Sequence, residues 1–288
     1  MSKYTWMVFV GACSYGILST IVKLAYWDGY AIEVIAVMQA LIGFCCLWIF
    51  SLFTKTTTNK VLPLQGKSKW LVIVSGGCIG LTSYVYYLSV KYIPASVAII
   101  CLMQFTWMSV LLEWCLFKKR PSQQQLGIIT IILLATYLAS GLQDSTNIHW
   151  KGLSLATLSA LMYAGYVVLN ARLPQTGGTS ITRSMYAMLG SVITLSIITF
   201  PGLIAAQCWN LQLFRWVILL AFFGTIIPPL LFAGGIPKIG AGKSAVIMTA
   251  ELPVAIISAC VILHEPIASL QWWGVGLLLA SIVYMKTR

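Results

Sequence analysis

The chain has 288 residues, 59% of them hydrophobic and 8% charged, with a mean hydropathy of +0.91. So few charges cannot cover the surface of a soluble domain, and the chain is read as an integral membrane protein. Its net charge of +12 would elsewhere suggest a nucleic-acid partner, but the basic residues sit in short connectors between apolar runs rather than on one solvated face, so none is expected.

Apolar runs of about 17 to 25 residues occur at ten places: approximately 5–26, 31–53, 70–90, 94–117, 124–143, 151–172, 182–204, 214–236, 241–263 and 269–286. The first follows Lys3 but is too long for the apolar segment of a secretory signal, and no small-residue cleavage site leads into a soluble domain, so it is expected to persist as a helix. It offers Tyr15 and Ser19. The connector from Thr54 to Ser68 is polar and carries Pro63 and Gly66, which predicts a plain loop. The third span presents Gly80, Tyr84 and Tyr87 on one face, with Lys91 a turn beyond, and the fourth offers Gln104 and Trp107. Glu113, near the end of the fourth span, lies within reach of Lys118 and the headgroups and reads as an anchor.

In the sixth span Ser159, Tyr163, Tyr166 and Asn170 recur at spacings of 4, 3 and 4, so they share one helical face. A polar stripe facing lipid would be costly, which leaves cavity lining or hydrogen bonding to a neighbouring helix. The eighth span contains PPLLFAGG (228–235), where Pro228 and Pro229 predict a kink or a break. Its first-half counterpart, TSYVYYLS (82–89), has no such interruption.

The ninth span holds TAELPVA (249–255), with Glu251 two positions before Pro253. An acid at the centre of a bilayer helix costs roughly 2.5 kcal/mol or more, so Glu251 should face the interior. Pro253 removes one backbone donor and would free the Thr249 carbonyl, loosening the helix beside the acid. Two roles fit Glu251: a contact for a substrate amine or a coupling proton, and a structural hydrogen bond to a neighbouring helix.

Placing the N-terminus in the cytoplasm puts about fourteen of the eighteen Lys and Arg residues inside, with Lys23, Lys91, Lys151 and Arg215 outside. The expected location is therefore a cytoplasmic (inner) membrane, multi-pass, with both termini cytoplasmic. Nearly all eight cysteines fall within spans and imply neither a disulfide framework nor a metal site. GAGKSA (240–245) resembles the end of a phosphate-binding loop, but the first glycine of that motif would fall at Pro237, inside an apolar context. No catalytic signature is present, and His149 and His264 fall in connectors, so an enzyme is not expected.

A shift of about 146 positions lays KWLVIVSGGCIG (69–80) on RWVILLAFFGTI (215–226) and YIPASVA (92–98) on KIGAGKS (238–244), and it superimposes the span boundaries as well. Five spans per half is an odd number, so the halves would sit upside down relative to each other. The expected fold is all-α and membrane-integral, with ten transmembrane helices as two inverted five-helix repeats over residues 1–147 and 148–288.

The segment 236–283, with its small-residue helix start, mid-helix Glu251 and Pro253, Glu265–Pro266 pair and Gly274, resembles the closing helices of the drug/metabolite transporter superfamily, EamA-type branch. WKGLSLATLSALMYAGYVVLNARL (150–173) resembles the helix that starts its second repeat, and the segment from Tyr92 to Trp114 resembles the fourth helix of its first. The first half departs from the family pattern: Trp107 stands where Pro is common, Lys118 or Lys119 where Glu is, and Gln39 where Arg is. The resemblance implies a central cavity formed by helices 1, 3, 4, 6, 8 and 9 and alternating-access movement of a small metabolite, commonly outward, without a cofactor. One acid among many aromatics suits an amino acid or similar amphipathic metabolite. A phosphorylated or nucleotide-linked substrate requires Lys23, Lys91 or Lys243 to turn inward, and a channel-like protein is the further alternative. A monomer and a homodimer are both compatible with the sequence.

Overall fold

In the computed structural model the described residues are 2–57, 64, 66–93, 95–139, 149–173, 178–205, 211–264 and 269–286. Among them the chain is helical throughout, without a strand. Helices α1 (Lys3–Gly16) and α2 (Leu18–Trp27) make the first pass, α3 (Ile32–Thr57) the second and α4 (Gly66–Val90) the third. The fourth pass is α5 (Ala95–Met103) followed by α6 (Phe105–Phe117); then come α7 (Gln123–Ala139), α8 (Trp150–Ala171) and α9 (Ser180–Ala205). Helix α10 (Leu211–Leu220), a π-helical turn (Ala221–Ile226) and α11 (Ile227–Ile239) form one rod, α12 (Ala241–Met248) and α13 (Glu251–Leu263) the next, and α14 (Ser269–Lys286) the last.

Among the described residues eight helical stretches are long and apolar enough to cross a bilayer: Lys3–Trp27, Ile32–Phe53, Gly66–Val90, Val97–Phe117, Trp150–Ala171, Ser180–Gly202, Gln212–Ile239 and Ala241–Leu263. The apolar part of α7, Gln125–Leu138, is shorter. Large apolar side chains such as Phe53, Ile197 and Val261 lie exposed on the outer faces, as lipid contact requires. Exposed Trp27, Trp70, Trp150 and Trp273 lie near helix ends, the depth at which an indole meets both lipid and water.

The loop expected from Thr54 to Ser68 is largely helix at both ends: α3 continues through Thr57, and α4 begins at Gly66, whose φ is +56°. Once a helix is nucleated each further residue adds a hydrogen bond, so polarity alone does not end it. Pro63 lies outside the described residues, as do Asp144, Cys208, Glu265 and Pro266.

Helix α4 packs between α8 and α9, and α3 packs on α9. Helix α1 lies against α11 and against α12 and α13, while α5 and α6 lie against α8. The remaining pairs include α3 with α10 and the π turn, α12 with α6, α13 with α5, and α7 with α14. The closest crossing is α4 with α9: a Cβ added at Gly76 would collide with the Ala187 carbonyl, and one added at Gly190 with the Ile73 carbonyl. Where lipid removes the hydrophobic drive, such backbone approach through small residues is what holds helices together.

Among the described residues three helical stretches are interrupted by a turn of one or two residues whose backbone stays right-handed helical. The first is at Ile17, beside Gly16, which runs directly against α13: a Cβ there would meet the Glu251 carbonyl and Val254. The others are at Gln104, between α5 and α6, and at Thr249 and Ala250, between α12 and α13. The breaks in α5/α6 and α12/α13 fall at corresponding positions, and both second halves end in a left-handed residue, Lys118 (φ 54°) and His264 (φ 55°), 146 positions apart.

Here the proline expectations need correction. Pro253 does not loosen a continuous helix; it is the third residue of α13, where a missing N–H costs nothing, and the Thr249 carbonyl accepts the Leu252 N–H at 3.1 Å. Pro228 and Pro229 likewise stand in the first turn of α11, and the irregularity precedes them as the π turn. The Pro229 carbonyl is taken up by the Ser184 hydroxyl at 2.8 Å.

Candidate substrate cavity at the broken helices

Glu251 is the first residue of α13 and is 6% exposed. The Tyr163 hydroxyl of α8 donates to Glu251 Oε2 at 3.4 Å, a long hydrogen bond.

Glu251 and Tyr163 share the wall of a cavity of about 30 Å³ with Tyr15, Leu18 and Ser19 from the first pass, with Ile79, Thr82, Ser83, Tyr86 and Tyr87 from α4, and with Ile99 and Leu102 from α5. The space holds about one or two waters. Glu251 is the one charged group among its lining residues. Tyr87 is braced from α3, where Gln39 Nε2 donates to its hydroxyl at 3.3 Å.

The expected site residues divide. Tyr15, Ser19, Tyr87, Tyr163 and Glu251 meet at this cavity. Tyr166 stacks on Tyr163 with ring centroids 6.3 Å apart and accepts from Asn170 Nδ2 at 3.1 Å, so this part of the α8 stripe is adjacent to the cavity without lining it. Ser159 is fully buried and donates to the Ala156 carbonyl at 2.7 Å, a bond within its own helix. Gln104 sits in the turn between α5 and α6 and accepts from Trp107 Nε1 at 2.9 Å, so these two satisfy each other. Tyr84 packs toward α3 and α9, against the cluster of Ala36, Val37, Ala40 and Leu195. Tyr86, Thr82 and Ser83 were not anticipated; they line the cavity beside Tyr87 of the anticipated stripe while Tyr84 of that stripe does not, a division that helical spacing alone cannot make.

A second pocket of about 590 Å³ opens where α2 and α4 end, lined by Lys23, Tyr26, Trp27, Tyr30, Glu33 and Lys91 among others. The Tyr26 hydroxyl, donating to the Tyr87 carbonyl at 3.1 Å, stands between it and the central cavity. Lys23 and Lys91 thus line a separate pocket, and Lys243 is exposed. At the opposite end of α8, α6 and α8 are tied together: Glu113 Oε1 accepts from Arg172 Nη2 at 3.1 Å and from Lys119 Nζ at 3.2 Å, and the Arg172 guanidinium lies 4.2 Å from the Phe117 ring centroid. The partner of Glu113 is therefore Lys119 with Arg172, not Lys118. Because Glu113 is buried while both cations are partly exposed, Glu113→Ala is expected to lower stability by about 1–2 kcal/mol, less than a fully buried pair. A thermal melt of the purified protein in detergent reads this directly, and an unchanged midpoint would show the tether to be idle.

A helical membrane protein whose interrupted helices meet at a cavity holding one buried carboxyl has the architecture of the solute transporters. A sequence model of the EamA-like transporter family matches residues 2–141 and again 150–287, so the chain belongs to that family. It is 25% identical over 298 residues to the "Uncharacterized transporter YcbK" of Bacillus subtilis (strain 168), covering 99% of this chain and 93% of that one. It is 22% identical over 208 residues to the "Threonine/homoserine exporter RhtA" of Escherichia coli (strain K12), covering 72% and 67%. A solved crystal structure shares the fold with a TM-score of 0.76 at 14% identity, over 100% of this chain and 97% of that one.

Proposed function

We propose that the chain is a secondary transporter that exports a small amphipathic metabolite of amino-acid type by alternating access. The observation that carries this reading is the buried Glu251 at a helix restart, facing a cavity lined by both halves of the chain.

The proposed frame is ten passes in two inverted five-helix repeats, 1–147 and 148–288, with both termini on the cytoplasmic side of the inner membrane, as a monomer or a homodimer. Exchanging each pass with the one five later maps the packing pairs onto one another: α4 on α8 becomes α11 on α1, and α5 with α8 becomes α12 and α13 with α1. The paired breaks near Gln104 and Ala250 support the same symmetry. The central cavity is too small for any amino acid, so in this reading the helices part to admit one. The pocket at Lys23 and Lys91 forms the outer vestibule, and the Glu113 tether closes the inner side. Export of an amino-acid-like solute draws support from the name of the Escherichia coli relative. The absence of Lys and Arg from the central lining disfavours a phosphorylated solute.

Counterflow in proteoliposomes tests the reading. Vesicles preloaded with unlabelled amino acids, homoserine and threonine included, are expected to accumulate the labelled solute transiently against its gradient. A pore cannot do this, so equilibration without overshoot would refute alternating access.

A further inference from the structure

Hydroxyls are plentiful around the central cavity, and nearly all the placed ones are spent inside the protein. Thr82 donates to the Cys78 carbonyl at 2.8 Å, Ser83 to the Ile79 carbonyl at 3.2 Å and Ser19 to the Gly16 carbonyl at 3.5 Å. Tyr87 is held by Gln39, and Tyr163 donates to Glu251. Two tyrosine hydroxyls differ: Tyr15 makes no hydrogen bond among the described residues, and the Tyr86 oxygen is in addition fully buried without a partner. The residue as a whole is 6% exposed and lines the same cavity as Glu251.

A buried hydroxyl left unpaired costs free energy, because it has given up water without replacement. A protein that retains such a group beside a cavity has a donor ready for whatever fills it. The polar groups left for an occupant are then of opposite kind: the carboxylate of Glu251 on α13, which accepts, and the hydroxyls of Tyr86 on α4 and Tyr15 on α1, which donate; of the two hydroxyls, that of Tyr86 is the one with no exposure and no partner. One tyrosine face beside the carboxylate would further favour a cation.

We infer that Tyr86 is a specificity-determining residue of the central cavity, its hydroxyl donating to the carboxylate of a solute whose ammonium group is held by Glu251. The inference rests on the transporter reading for its biological meaning, but it is tested by binding alone. An amine without the carboxylate uses only Glu251; a zwitterion uses both walls. Tyr86→Phe removes the unpaired oxygen and nothing else, so the variant keeps the packing of the ring and is expected to fold as well as the parent.

The test compares homoserine with aminopropanol, which is homoserine without its carboxylate, by ligand-induced thermal shift of the purified wild type and Tyr86→Phe. Homoserine binding is expected to weaken about tenfold or more in the variant, the worth of one hydrogen bond to a charged group, while aminopropanol binding stays within about twofold. Equal weakening of both, or of neither, overturns the assignment, as does a wild type that binds neither. Differential weakening with no counterflow in wild-type proteoliposomes would leave the Tyr86 assignment standing and sink the carrier reading instead.

Discussion

Glu251→Gln is expected to abolish counterflow of a zwitterionic solute, lowering the rate about a hundredfold or more, while leaving the protein folded. Removing one partner from a buried, charge-assisted contact costs several kcal/mol, because the remaining charge is left without its counterpart. Here that counterpart would be the solute's ammonium group, and Glu251 is the one charged side chain lining the cavity. Glutamine has the same shape and still offers an oxygen to the Tyr163 hydroxyl, so the internal contact at 3.4 Å survives. Tyr163→Phe removes only that long hydrogen bond and is expected to slow transport a few-fold at most. Counterflow measured on either side of neutrality separates the two functional roles: a proton-carrying Glu251 makes the wild-type rate depend on pH and the glutamine variant's rate independent of it. Full transport by Glu251→Gln with an unchanged pH profile would make the acid structural.

The second large effect is expected at the crossing of α4 and α9. Gly76→Ala and Gly190→Ala each add one methyl group, yet each is expected to cost about 3 kcal/mol or more and to abolish monodisperse purification. The added carbon would meet a backbone carbonyl, Ala187 at one position and Ile73 at the other. A side chain can rotate away from an intruding methyl, whereas a carbonyl moves only with its helix. Separating these helices would also disturb α4 against α8, where the cavity wall is built. Gly165→Ala is the control. It lies in α8 with nothing near its added Cβ, so it is expected to be neutral or to stabilise by up to about 1 kcal/mol. Thermal midpoints and size-exclusion profiles in detergent distinguish these outcomes, and a well-behaved Gly190→Ala protein would mean that the crossing is looser than its geometry.

The breaks in the helices were the least legible feature. Proline and glycine mark places where a helix can fail, and PPLLFAGG drew attention for that reason. Yet the fourth pass breaks at Gln104, between Met103 and Phe105, with neither residue type at the break. Ser, Thr and Gln side chains that bond back to carbonyls three or four residues earlier, as Gln104 does to Ile100 and Thr249 to Val246, provide the local means. Why the pause falls at Gln104 depends on what lies across from it, and a single chain's local pattern carries no record of that.

Hydrophobicity and its interruptions act along the chain, so the sequence by itself determined that this is a helical membrane protein, where most of its passes lie, and that Glu251 is buried. A carboxylate within an apolar run can avoid lipid only by facing protein or an aqueous space, whatever the surrounding fold. Which tyrosines of α4 face the cavity was not readable in the sequence. Tyr84 and Tyr86 are both tyrosines on one helix, and only the packing of α3 and α9 against the first sends the second to Glu251. Side-chain spacing defines the faces of a helix; neighbouring helices decide which face meets the site, because that choice depends on contacts between residues far apart in the chain.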